Sequence, residues 1–346
     1  VPAIAVADAL RSEGAEVSFL GTRERAEAEL VPAAGYEIDF LRVSGLDRRN
    51  PLKAAAAAGR ALAAVPAARR VLRRRGADAV MGGGGYVAGP AGLAALRLAL
   101  PLVLTEADSH LGLANRMLAR RARRVCLAFP VPGRDGDHYL VTGRPVPEAI
   151  AAADRGAARR RFGIDADASC LLVFGGSLGA RSLNQAAFEA FAGDDARDFH
   201  VLHVAGHRDY RGLEQRLRSG GARRYTLLEY EPDLGDVLAA ADLVLARSGG
   251  SLFEIAAAGR PAILVPFPHA TGDHQSSNAR WMTEAGAAVA IPDGALTPAR
   301  VASLAAELLA DHPRLAAMGK ASAALARPDA ARRIAAEILA AAEERR

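Results

Sequence analysis

Two cysteines, Cys126 and Cys170, are the only thiols in 346 residues, and they sit far apart outside any Cys-x-x-Cys pattern. That usage excludes a disulfide scaffold and a zinc ribbon and fits a reduced, cytoplasmic compartment. Aromatic side chains make up only 5% of the chain, too few for the stacking platform on which nucleic-acid strands are held. Long apolar runs are missing as well. Residues 54–58 are a short run and residues 91–100 are interrupted by Arg97, whereas a spanning helix needs about 20 apolar residues. The opening residues, from Val1-Pro2 onward, do not read as an apolar signal region. Lysine is almost absent: Lys53 and Lys320 are the only two among 44 basic residues, so the net charge of +5 is carried by arginine. In an alanine-rich chain this is a compositional habit, and where the arginines cluster matters more than their sum.

What remains is globular, with 51% hydrophobic and 24% charged residues. At this length two domains of ordinary size are expected. Residues 2–14 read as a helix, 16–20 as a short strand, 24–34 as a helix, 38–43 as a strand and 52–75 as an alanine-rich helix. A buried strand at 77–81 runs into Gly82-Gly83-Gly84-Gly85-Tyr86. Helix 91–98, strand 102–105, helix 111–121 and strand 124–127 follow. The pattern restarts at the apolar strand 170–174, with further strands at 200–204, 225–228, 243–246, 262–265 and 288–291.

This alternation describes an α/β chain of two Rossmann-like domains facing a cleft, with ligands at the C-terminal ends of the strands. The expected division is 1–143 and 144–327, joined near Gly143-Arg144-Pro145, with 328–346 a helix that packs back on the first domain. The first element is a helix where a central strand is the usual start. An upstream segment of roughly 15 residues, one strand and a turn, is therefore expected.

Three loops carry chemistry. Gly175-Gly176-Ser177-Leu178-Gly179-Ala180 follows a strand and opens a helix, an arrangement that suits a phosphate: glycines admit the anion and the helix start offers N–H groups. A plain packing turn would look the same. It is not GxGxxG, which disfavours a nicotinamide site. The second loop, Arg247-Ser248-Gly249-Gly250-Ser251, leads into a helix with Glu254 in its first turn, placed for a ribose diol or simply for the helix dipole. The third runs from Pro266-Phe267-Pro268-His269 to Asp273-His274-Gln275, with amide and carboxylate groups suited to hydroxyl-rich ligands.

The runs FGGSLGARSLN, RSGGSLFE and PAILVPFPHATGDHQSSNA, with GGGGYVAGPAG and VTGRPV in the first half, resemble the MurG family of peptidoglycan glycosyltransferases. The likeness covers essentially the whole chain, in order. It implies the GT-B architecture, a donor site in the second domain, an acceptor site in the first, and no metal or other cofactor. By motif, it implies that Gly176, Ser177 and Gly179 meet the donor diphosphate and that Glu254 meets the ribose. Gln275 would meet the N-acetylglucosamine hydroxyls, and the backbone near Glu231 the uracil. Arg247, Gly249, Gly250 and Ser251 belong to the same substrate-binding set.

The chain also departs from the family. The opening GGTGGH loop, with a histidine often taken as the base, is absent. Thr105-Glu106-Ala107-Asp108 stands where HEQN is usual, which leaves Glu106, Asp108 and His110 as candidates for the base and Asp108 also for substrate binding. Pro147 replaces the linker arginine, with Arg144 a substitute, and RSGGSLFE is one residue shorter than the usual run.

His200, His203 and His207 do not make a metal site, because strand spacing puts 200 and 203 on opposite faces. Arg116, Arg120, Arg121, Arg123 and Arg124 lie near Leu111, Leu113, Met117 and Leu118, as either a solvated face or a dock for anionic lipid. The expected function is inverting transfer of N-acetylglucosamine from UDP-N-acetylglucosamine to undecaprenyl-linked muramoyl-pentapeptide. The expected setting is peripheral, on the cytoplasmic face of the bacterial plasma membrane, with no nucleic-acid partner. The alternatives are another GT-B glycolipid transferase, such as a diacylglycerol glucosyltransferase, or a nucleotide-sugar-binding protein inactive for want of the opening loop.

Overall fold

The computed structural model describes residues 2–43, 51–176, 179–193, 197–220 and 223–345. They form two compact units, Val1–Val146 with Arg327–Arg346, and Pro147–Ala326.

In the first unit β1 (Ser18–Gly21) and β2 (Glu37–Phe40) pair as one parallel sheet. A second parallel sheet takes β3 (Val80–Gly82), β4 (Leu102–Glu106), β5 (Arg124–Leu127) and β6 (Tyr139–Val141) in that order. The two-residue period of a strand sorts its side chains. Leu102, Leu104, Val125 and Leu127 bury on one face with Val65, Ala68 and Leu72 of the helix Pro51–Arg74. Val103 and Cys126 bury on the other, with Val6 and Leu10 of the helix Pro2–Ser12 and Ile334 and Ile338 of the helix Ala330–Glu343. Covered on both sides, residues 102–104 of β4 and 125–127 of β5 need apolar side chains at every position, which is why they read as continuous apolar runs. Burial pushes the Cys126 thiol up to about 12, so it stays protonated and inert.

Some boundaries differ from expectation. The helix expected from residue 91 begins at Gly85, because Gly84 at φ 78 completes the turn out of β3 within two residues. The helix expected over 111–121 is Leu113–Leu118 followed by a 3-10 turn, Ala119–Arg121. Three short elements were not anticipated: β6 and the helices Glu148–Ala152 and Arg155–Phe162. Each is too short to develop a period.

The second unit is one six-stranded parallel sheet of β7 (Ser169–Phe174), β8 (Phe199–Val204), β9 (Tyr225–Leu228), β10 (Leu243–Ala246), β11 (Ala262–Leu264) and β12 (Ala288–Ala290). Their spatial order is β12-β11-β10-β7-β8-β9, so the chain runs outward one way from β7 and then returns to start again at β10. That reversal is the topological switch point of a doubly wound sheet, where the strand ends leave room for a ligand.

Buried polar groups lock this unit. His203 on β8 is fully buried, its Nδ1 2.6 Å from the Tyr225 hydroxyl and its Nε2 3.1 Å from Asn184 Oδ1. Asn184 in turn donates to the Ala205 carbonyl at 2.7 Å and to Asp209 at 2.8 Å. The helix Arg181–Phe191 is thereby fixed to the end of β8. Burial alone lowers the His203 pKa to about 3. Below about pH 6.5 the unfolded chain takes up a proton that the folded chain refuses, so stability is full above that value and falls as pH drops toward 3. The expected loss is up to about 1.4 kcal/mol for each pH unit below about 6.5. Urea melts between pH 7.5 and 4.5 test this. His203→Asn should flatten the slope, and equal slopes in the two proteins would remove His203 as its source.

Candidate functional site

Phe174 pairs with Ala246 and Ala246 with Leu264, so β7, β10 and β11 end level with one another. The loops that follow start side by side at the switch point. The first, after β7, is held tight: the Gly179 N–H donates to the Gly176 carbonyl at 2.9 Å. Gly179 sits at φ 77, and a Cβ there would lie 2.4 Å from the Ala205 carbonyl oxygen, so only glycine fits. Gly176 lies in the same turn, and Ser177 falls outside the described residues.

The second loop passes through Gly249, Gly250 and Ser251 into the helix Leu252–Ala257, with Glu254 in its first turn. Ser248 is fully buried and donates to the Gln275 carbonyl at 2.7 Å, while Asn278 donates to the Ser248 carbonyl at 3.2 Å. The loop is thus pinned to the helix His274–Glu284. Gln275 from that helix accepts the Phe267 N–H at 2.9 Å through Oε1, leaving its amide nitrogen toward the space beside Gly249. The Arg247 guanidinium, by contrast, is taken up by protein acceptors: the carbonyls of Val265 and Pro266, Ser182 and Asp293. Glu231 is similarly engaged. Arg161 donates to its carboxylate at 2.8 Å, and the Asp233 N–H donates to it at 2.9 Å.

In the first unit a cavity of ≈ 270 Å³ lies at the C-terminal ends of β3, β4 and β5. Pro2 and Ala3, at the start of an 11-residue helix, line it together with Gly83, Thr105, Glu106 and Arg144. The Arg144 Nε is buried and has no hydrogen-bond partner among the described residues. Glu106 is buried and accepts three N–H groups: Asp108 at 3.2 Å, Gly112 at 2.8 Å and the Asn115 side chain at 2.9 Å. Asn115 also donates to the Thr105 carbonyl at 2.9 Å. The carboxylate therefore closes the loop that carries Asp108 and His110, both partly exposed.

Two family models match the chain: glycosyltransferase family 28 N-terminal domain over residues 1–127, and glycosyltransferase family 28 C-terminal domain over residues 170–334. A protein of Mycolicibacterium paratuberculosis is 43% identical over 96% of this chain and 84% of its own length. It is named UDP-N-acetylglucosamine–N-acetylmuramyl-(pentapeptide) pyrophosphoryl-undecaprenol N-acetylglucosamine transferase. A protein of the same name in Halorhodospira halophila is 39% identical over 96% of this chain and 92% of its own. The crystal structure of Acinetobacter baumannii MurG matches with a TM-score of 0.77 at 29% identity, covering 98% of this chain and 95% of that one. The chain belongs to the MurG family.

As a MurG-family glycosyltransferase it has the α/β GT-B fold. Motif reasoning missed Asp293, Ser182 and Asn115, the side chains that hold these loops in place. Ser182 lies within the run FGGSLGARSLN, and Asn115 left a trace as a polar residue on the buried side of the short helix Leu113–Leu118. Glu106→Gln offers one oxygen and an NH2 group to three N–H donors, so one donor loses its acceptor. With the amide oxygen kept by Gly112 and Asn115, amide exchange at Asp108 should rise about 10- to 100-fold, the equivalent of one lost charge-assisted hydrogen bond. Unchanged exchange, read by NMR or mass spectrometry, would mean that something other than Glu106 closes the loop.

Proposed function

We propose that the protein transfers N-acetylglucosamine from UDP-N-acetylglucosamine to the 4-hydroxyl of undecaprenyl-diphospho-N-acetylmuramoyl-pentapeptide, with inversion and without a metal. The observation that carries this reading is the coincidence of family membership over nearly the whole chain with three motif loops level at one switch point. The donor lies in the second unit. Its diphosphate meets the turn at Gly176, Ser177 and Gly179, and its sugar meets Gln275 and the N–H groups of Gly249, Gly250 and Ser251. Its ribose meets Glu254 and its uracil the backbone at Glu231. The acceptor lies in the first unit, where Arg144 and the start of the helix Pro2–Ser12 suit its diphosphate.

The muramoyl oxygen attacks the anomeric carbon, the bond from that carbon to the diphosphate oxygen breaks, and UDP leaves with the bonding pair. The hydroxyl proton passes to a base on the loop closed by Glu106, for which Asp108 and His110 are the candidates. Charge growing on UDP is met by backbone N–H groups fixed before the reaction, so no reorganisation is needed as it develops.

Incubating the protein with UDP-N-acetylglucosamine and the lipid-linked acceptor in excess EDTA should yield the disaccharide lipid. Glu254→Gln should weaken UDP binding by about 1.5–3 kcal/mol, as one charge-assisted contact is lost. Turnover abolished by EDTA and restored by magnesium or manganese would overturn the metal-independent mechanism.

The protein acts at the cytoplasmic face of the bacterial plasma membrane, held peripherally. Among the described residues no helix is long and apolar enough to cross a membrane. Arg123 and Arg124 pair with Glu344 and Glu337, which leaves Arg116, Arg120 and Arg121 exposed around Met117, itself 67% exposed. At about 1 kcal/mol each, replacing the three by glutamine should weaken binding to phosphatidylglycerol vesicles about 100-fold. Sedimentation with no change would move the membrane contact elsewhere.

A further inference from the structure

One guanidinium ties together the loops at the edge of the second sheet. Arg247 is only 10% exposed, and its Nη1 donates to the carbonyls of Val265 at 3.1 Å and Pro266 at 3.3 Å. The same nitrogen lies 2.6 Å from Asp293 Oδ1. Its Nη2 donates to Ser182 Oγ at 2.6 Å, and the Ser182 hydroxyl donates to Asp293 Oδ1 at 2.8 Å. Ser182 accepts from the guanidinium and donates to Asp293, which supplies the negative charge of this triangle. Asp293 opens the short turn after β12 and belongs to none of the motif runs.

We infer that Asp293, acting through Arg247, is a positioning residue for the sugar end of the donor site. Asp293 fixes where the guanidinium sits. The guanidinium fixes the carbonyls of Val265 and Pro266 and lies 5.5 Å over the Phe267 ring. The Phe267 N–H then holds Gln275 Oε1 at 2.9 Å, which decides that Gln275 presents its NH2 group to a ligand. The helix that carries Ser182 has its own anchor in Asn184, so the diphosphate turn does not depend on this triangle. Losing Asp293 therefore loosens the sugar contact and spares the nucleotide. The inference rests on the reading that Gln275 meets the sugar hydroxyls.

Calorimetry with UDP-N-acetylglucosamine and with UDP, on the parent protein and on Asp293→Ala, Gln275→Ala and the double variant, separates the two. Asp293→Ala should weaken the nucleotide sugar about tenfold and change UDP by less than about twofold. The double variant should bind the nucleotide sugar no more weakly than Gln275→Ala alone. Should Asp293→Ala fail to fold, Asp293→Asn, which keeps an acceptor and drops the charge, should shift the same ligand in the same direction. Equal weakening of both ligands, or losses that add in the double variant, would overturn the inference. Gln275→Ala with undiminished preference for the nucleotide sugar over UDP would overturn the underlying assignment of Gln275 instead.

Discussion

Parallel pairing of β7 with β10 and of β10 with β11, in a register that ends all three strands level, is the constraint on which the donor edge depends. A parallel sheet sends every return crossing to the far edge, so the loops at the C-terminal edge are free to be short, polar and crowded. Their crowding creates a problem of its own, because backbone carbonyls turned inward need donors. Arg247 answers it with one planar group that reaches several acceptors in different loops. A partly buried ion pair of this kind adds little net stability, since desolvation offsets most of the attraction. Its value lies in geometry: it leaves one arrangement of the loops with all partners satisfied.

The opposite edge of the same sheet uses arginine differently. Arg159 is buried and donates to the carbonyls of Asp165, Ala166, Ala168 and Ala240 while pairing with Asp242 at 2.7 Å. Asp242 also accepts the Cys170 N–H at 2.9 Å and Arg155 at 2.6 Å. Every polar group of Arg159 is consumed by its own surroundings, so this end is a closed structural knot. The donor edge differs in that Gln275 and the glycine turn keep groups in reserve.

Much of this could be read from the sequence because it is local. The central strands of the second unit announce themselves as apolar runs, since both faces of each are covered, and the glycine turn is set by positive φ at Gly176 and by close backbone approach at Gly179. The start of the helix at Gly85 was missed because the apolar period of that helix is regular only further along. Asp293, Asn115 and Asn184 were harder for a different reason. Each acts across a gap in sequence, Asp293 on Arg247, Asn115 on Glu106 and Asn184 on Ala205, and neither partner's neighbours carry a pattern that points to the other. Motifs name the groups that could touch a ligand; the residues that aim those groups follow from the folded register.

Glu106 illustrates the difference between those two kinds of residue. Its carboxylate stands where the family motif places an acidic group, and a carboxylate beside a cavity invites the role of base. Yet both oxygens already accept N–H groups, from Asp108, Gly112 and Asn115. Each of those bonds ties one point of the loop to the carboxylate. The base we propose stands two or four residues further along, at Asp108 or His110, where the side chain is partly exposed and the backbone is already held. The Glu106 carboxylate thereby gives Asp108 and His110 a fixed backbone from which to present their side chains.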